Sequence, residues 1–436
     1  MIRRACVVTL GCVLAACGGD DTHPAAGGGG AGGAGASGGS GATGGSSGGS
    51  GGSVAPGDLP LLDATDLVYE GAFRLPADDF GVSSMNFSEG PLAYRAATDS
   101  IVVVGHDHQQ AIAEFAVPAI QGGTSLADLP MAAAPQQGFV TVLDRVAQNP
   151  QALDQIAGLA LFDGPSGQEL LIHAYEYYDA PADNTHTTLV LRDASKLASA
   201  TVDGFYSFGG AAHAAGWISP VPAEWQPLLG GPALSGASSG VPIISRLSVG
   251  PSAFAFDPAE LVGSSAPPGP ISTTALLDFS LDEPLHADLD NASKSNDLWT
   301  HLSRAVYGFI APGTRTYVTL GSSGGHGTGV CYKCTPVGAN EECGGFCAND
   351  VTDYANYYWL WDVNDLVKVK QGQLEPFAVR PYAHGAFATP FAPSAIGGGS
   401  FDPSSGRLYL TLQGADTAQG QYANPPVVVV YSLKAK

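Results

Sequence analysis

The sequence predicts an all-β protein, and three observations carry that reading. Beyond about residue 55, short alternating or β-branched runs such as "SIVVVGHD" and "RLYLTLQG" are broken every few positions by Gly, Pro, Asp or Ser. No long stretch repeats its apolar residues with the 3.6-residue period of a helix. One pattern also recurs along the chain. A glycine opens an apolar strand, a tight polar turn follows, then come a second apolar strand, a longer polar loop and a closing strand.

The N-terminus comes first in order. "MIRRACVVTLGCVLAACGGDD" has two arginines and then an apolar run, Ala5 to Ala16. That run is too short to span a bilayer and reads as an export signal. It closes on Leu14-Ala15-Ala16-Cys17, which resembles the lipobox of bacterial lipoproteins. The resemblance implies that residues 1–16 are a signal peptide, that Cys17 becomes the lipidated N-terminus, and that Cys6 and Cys12 leave with the signal. An ordinary cleaved signal is the plainer alternative. In lipoproteins an aspartate after the cysteine often marks retention at the inner membrane. Gly18 stands there instead, which implies the outer membrane.

Residues 17–55 are then a lipidated cysteine and a tether of nearly pure Gly, Ser and Ala, which offers almost nothing to bury and should be disordered. Its typical span is on the order of 30–35 Å. The body would thus be lipid-anchored to the outer membrane, facing the periplasm or the cell surface. No further run of 18 apolar residues appears, so the lipid is the expected membrane attachment.

Residues 56–436 form the body. Apolar residues make up 44% of the chain and charged residues 13%, so a sizeable core is available. With 18 basic against 40 acidic residues the net charge is −22, which excludes nucleic acid and anionic lipid head groups as natural partners. The expected partner is an extracellular polysaccharide or protein, and the body is expected to be a monomer.

The recurring pattern reads "EGPLAYRAATDSIVVVGHDHQQAIAEFAVP" (Glu89 to Pro118), "AGLALFDGPSGQELLIHAYEYYDAPADNTHTTLVLRDASKL" (Ala157 to Leu197), a late copy from Tyr307 to Leu366, and a last one from Gly398 to Leu433. A less regular unit lies between about Asp203 and Leu261. Three units end alike, at Asp193–Leu197, Asp257–Leu261 and Asp362–Leu366. Units of this length resemble the four-stranded blades of a β-propeller, and the chain as a whole looks like uncharacterised exported bacterial propellers. Five blades are expected. A sixth stays open, because Ser245 to Leu261 could open a blade instead of closing one.

The short turns "RAATD", "DGPSG", "PGT" and "PSSG" read as second-to-third connections. The long polar loops read as first-to-second and third-to-fourth connections on the opposite face. Long loops on a rigid scaffold are where binding residues usually sit. His106, His108, His173, His186, His213, His286, His301, His326 and His384 all lie in or beside those loops.

Within that face, Gly105-His106-Asp107-His108 would place two imidazoles on one side of a strand, suiting a metal, with surface hydrogen bonding as the alternative. The segment from His173 through Tyr175 to Asp179 combines tyrosines and carboxylates, as a sugar-stacking groove needs and as an aromatic blade core also would. Ser245-Arg246 stands four residues before Gly250 and Ser303-Arg304 four before Gly308, so Arg246 and Arg304 could clamp an anionic group or pair with acidic neighbours between blades. With His213, His326 and His384 these residues make the candidate ligand face. No GxSxG elbow, P-loop or dinucleotide-binding glycine pattern occurs.

Cys331, Cys334, Cys343 and Cys347 stand as C-x2-C, eight residues, C-x3-C. An exported location favours two disulfides, in any of three pairings, while a zinc site would use the same sulfurs. Catalytic and metal-binding residues stay unassigned, with Ca²⁺ or Zn²⁺ as the metals to consider. The residues fit two functions: a tethered propeller binding an extracellular polysaccharide or partner protein, or a glycan hydrolase or lyase using His and carboxylate acid–base chemistry. Carboxylates or histidines converging at the channel mouth would favour the enzyme.

Overall fold

A computed structural model describes residues 54–238, 247–264, 269–391 and 393–434. The signal, Cys17, the tether up to residue 53 and Arg246 lie outside these residues. Strand β1 (Leu67–Arg74) comes first in the chain and is used last in the fold. Blade 1 is β2 (Leu92–Arg95), β3 (Ser100–Val104), β4 (Ala111–Ala116) and β5 (Gln137–Thr141). Blade 2 is β6 (Gln155–Gly164), β7 (Gly167–Tyr175), β8 (Thr188–Leu191) and β9 (Val202–Tyr206). Blade 3 is β10 (Trp217–Pro220), β11 (Ala233–Gly236), β12 (Ala253–Phe256) and β13 (Thr273–Leu277).

Blade 4 begins with β14 (Arg304–Ile310) and β15 (Thr316–Gly324). A separate hairpin, β16 (Val330–Tyr332) and β17 (Phe346–Ala348), interrupts it before β18 (Tyr354–Asp362) and β19 (Ala383–Ala386). Blade 5 is β20 (Ile396–Asp402), β21 (Arg407–Leu412) and β22 (Val427–Leu433), completed by β1, which pairs antiparallel with β22. The described residues therefore form a five-bladed β-propeller, closed by joining the first strand to the last blade. The segment from Ser245 to Leu261 opens no sixth blade. Its described part carries β12, which pairs with β11 and β13 inside blade 3.

The innermost strands β2, β6, β10, β14 and β20 neighbour one another in a closed ring. Small residues permit that closeness: a Cβ on Gly158 would fall 2.0 Å from the carbonyl oxygen of Gly216 on the next blade. Large aromatic residues fill the space between sheets. Trp217 donates its indole N–H to the Tyr317 hydroxyl at 3.1 Å between blades 3 and 4, and the Phe401 amide donates to the Tyr307 hydroxyl at 2.7 Å between blades 4 and 5.

The strand numbering expected from the sequence is shifted by one. The glycine-opened strand is the first and innermost of its blade, so "RAATD", "DGPSG", "PGT" and "PSSG" join first to second strands. The long loops are second-to-third loops and blade-to-blade links. The two faces are divided as the sequence divides them, because the whole numbering moves together. The repeated Asp turns do not end units. Asp193, Asp257 and Asp362 each accept the N–H two residues on and turn the chain from third to fourth strand. No helix among the described residues is long and apolar enough to cross a membrane.

Candidate functional site

Each innermost strand begins at the long-loop face, so the residues that open these strands gather around one mouth. Glu89 leads into β2, Asp154 precedes β6, Gly216 precedes β10, Ser303 and Arg304 begin β14, and Gly397 lies at the start of β20. The second-to-third loops add Asp107, Tyr175, Glu176, Tyr177 and Ser238, and the inserted hairpin adds Phe346. Together they line a cavity of about 770 Å³. All five blades contribute to it, and that volume falls in the range of roughly 300–1,000 Å³ usual for ligand sites.

The cavity is acidic with one guanidinium set in it. Arg304 faces Glu89 at 3.6 Å, with their side chains 40% and 43% exposed. Asp154 behaves differently. Burial lifts its pKa above the usual carboxylate value and the neighbouring charge of Asp107 adds to the rise, while backbone N–H groups, that of Tyr177 among them, pull the other way. Burial also raises the Tyr175 and Tyr177 phenols, opposed by Arg304. The ring of His301 stacks on Phe346 at 4.0 Å, and its Nε2 lies 3.4 Å from Asp290. Burial lowers its pKa below the usual imidazole value.

Among the described residues, no three His, Asp or Glu groups bring their ligand atoms within 4.8 Å of one another. Paired carboxyl groups in unlike environments, beside tyrosine rings, can protonate a leaving group, activate water and stack a sugar.

The structure sorts the residues expected from the sequence. Asp107, Tyr175 and Arg304 meet in the cavity. His106 and His108 flank a neighbouring pocket, on a tight turn after β3 ends at Val104 and not on a strand. His106 Nδ1 accepts the His108 N–H at 3.1 Å, which orients the His106 ring.

Five more of the expected residues line neither pocket. His173 is fully buried on β7, with Nδ1 3.3 Å from both the Gly216 carbonyl and the Ser235 hydroxyl. Burial pushes its pKa down to about 3, because its charged form has no water to solvate it. Asp179 is buried and accepts the N–H groups of Asp183 and Asn184, shaping its own loop. His326 is held between Ser323 (2.6 Å) and the Asn296 carbonyl (2.8 Å). His384 lies on β19 opposite Trp359. His213 pairs with Asp278 at 2.7 Å, outside the cavity.

The four cysteines form two local disulfides, Cys331–Cys334 and Cys343–Cys347. Each stays within one arm of the hairpin, and the arms are joined by the β16–β17 ladder. The sulfurs of Cys331, Cys334 and Cys347 lie within 4.8 Å of one another, so these residues could hold a metal only as thiolates.

Sequence reasoning did not single out Glu89, Asp154 or the hairpin's Phe346 as lining residues. The signal for the first two was their place just before an innermost strand, which becomes meaningful only once that strand is known to be innermost.

No family model and no curated protein matches the chain in sequence. Solved structures match at the level of overall shape. A glycoside hydrolase of the GH130 family, described as targeting β-1,2 mannosidic linkages in Candida mannan, is 11% identical with a TM-score of 0.36, over 87% of this chain and 98% of that one. The catalytic domain of the Coprinopsis cinerea GH62 α-L-arabinofuranosidase is 13% identical with a TM-score of 0.33, over 86% and 98%. An ancestral GH74 enzyme is 9% identical with a TM-score of 0.33; the match spans 84% of this chain but only 34% of the enzyme.

Proposed function

We propose that this protein is a glycan hydrolase whose active site is the central cavity. One observation carries the reading: Asp154, with its raised pKa, meets Asp107, Glu89, Arg304 and two tyrosines at the mouth where all five blades converge. Asp154 is the general acid. Its proton goes to the glycosidic oxygen as the bond to the anomeric carbon breaks. Glu89, leading into the neighbouring inner strand and beside Arg304, is the second carboxylate, acting as base toward water or as nucleophile. Tyr177 offers its ring to a sugar face. On this reading the lipid on Cys17 and the tether hold the enzyme at the outer membrane, and the substrate is a polysaccharide met outside the cell or in the periplasm.

Release of reducing ends from a panel of neutral polysaccharides tests the chemistry. Wild type is expected to release them, with a rate that falls on the alkaline side as Asp154 loses its proton. Asp154→Asn and Glu89→Gln should each lower kcat by about 10²–10⁴, the usual worth of an acid–base group. Wild type that binds a glycan and never cleaves one would leave a binding protein instead. The anchor is tested separately: Cys17→Ser should move the protein from the membrane fraction to the soluble one, and continued membrane association would refute the lipid.

A further inference from the structure

A second pocket, of about 480 Å³, lies beside the cavity. It is lined by Phe87, His106, His108, Gln413 and Asn424, and it shares Glu89 and Asp107 with the cavity. The two spaces therefore meet at the same two carboxylates. A ligand that fills both must pass over them.

Phe87 is an unusual residue in this place. Its side chain is 56% exposed, although an apolar ring gains by burial. Its backbone has φ 54°, the left-handed region that a non-glycine residue seldom occupies. Two hydrogen bonds hold it there: its N–H donates to Asn424 Oδ1 at 3.2 Å, and its carbonyl accepts the Asp107 N–H at 3.2 Å. Asn424 is fixed in turn, donating its own N–H to Asn86 Oδ1 at 3.1 Å. The His106 ring stands 5.3 Å from the Phe87 ring, oriented by the bond from His108. Loops of blades 1 and 5 thus pin the backbone that presents an exposed aromatic ring, with the His106 ring beside it.

A rigid flat ring with amides and a carboxylate at its edge matches the two faces of a sugar. The C–H face stacks on the ring, and the hydroxyls reach the polar rim. We propose that cavity and pocket form one continuous groove for consecutive residues of a polymeric glycan, with Phe87 as the stacking platform for a sugar lying beyond the cleaved bond. The substrate is then an internal stretch of chain and not a single terminal sugar. This rests on the hydrolase reading for the cleavage but not for the binding, so the two can fail separately.

The test uses the full chain with neutral oligosaccharides of two to six units from xylan, arabinan, mannan and β-glucan, and p-nitrophenyl monoglycosides as short substrates. Affinity is measured by calorimetry and kcat/KM by product release. Both should rise with chain length in wild type. Phe87→Ala should cost about tenfold on six-unit chains, equivalent to roughly 1.4 kcal/mol, and much less on the monoglycosides. Phe87→Trp should restore most of that loss. Asn424→Ala, which only frees the platform, should show the same length-selective loss in smaller degree, and thermal unfolding checks that each variant folds. Length-dependent binding that Phe87→Ala weakens, without cleavage, would keep the groove and overturn the hydrolase. Binding independent of chain length, an equal loss on short and long ligands, or no binding by any of these oligosaccharides would overturn the groove.

Discussion

His173 illustrates how a residue that looks functional in sequence can be structural. It lies in a histidine–tyrosine–carboxylate run, yet alternation along β7 turns it into the space between blades 2 and 3, against Phe208. Its imidazole is neutral in the fold, with a pKa near 3 against 6.5 for an exposed imidazole. The sign of the consequence follows from linkage. Below pH 6.5 the unfolded chain takes up a proton that the folded one refuses, so stability falls as the pH drops from 6.5 toward 3. By pH 5 the loss from this group is about 2 kcal/mol. Chemical denaturation of wild type and His173→Leu at pH 7 and pH 5 checks this: the variant should lack about that much of the pH dependence, and equal slopes would show that another group is responsible. Asp154 is the converse case. Nothing local distinguishes it among 40 acidic residues, and its importance comes from burial at a mouth beside Asp107.

Among the elements, the first three strands of each blade were legible because they are apolar and largely buried, as in β3 and β8, and are punctuated by Gly-, Pro- and Asp-rich turns. The outer strands were not. β19 (Ala383–Ala386) has no buried residue and β13 only two, so neither shows an alternating signal. Losing the fourth strand shifted the strand numbering by one, yet the division into a long-loop and a short-turn face held because the two kinds of connection still segregate.

The cysteine hairpin was expected as a stapled loop. It is also a wall of the cavity, through Phe346 beside Cys347. Its two bridges span separations of three and four residues, each worth about 2 kcal/mol in the chain-entropy model. Mild reduction should therefore make residues 331–347 susceptible to protease while the blades keep their thermal unfolding midpoint. A large fall in that midpoint would mean that the bridges support the propeller itself.

At the scale of the whole molecule, the ring of five inner strands explains why the site exists. Gly158 and Gly216 let neighbouring inner strands approach closely, and this brings Glu89, Asp154 and Arg304 from three separate blades to one opening. Residues far apart in sequence meet there, which is why the two faces could be told apart by loop length and the cavity residues could not be read off. The excess of acidic over basic residues disfavours anionic polymers, in keeping with the neutral glycan of the proposed function.

The most direct measurement compares turnover and affinity in the same protein, for wild type and Asp154→Asn, on a glycan that wild type binds. The account predicts that the variant keeps its affinity within a few-fold and loses about 10²–10⁴ in the rate of reducing-end release. Equal rates in the two proteins, or no release by wild type from a glycan it holds tightly, would contradict it.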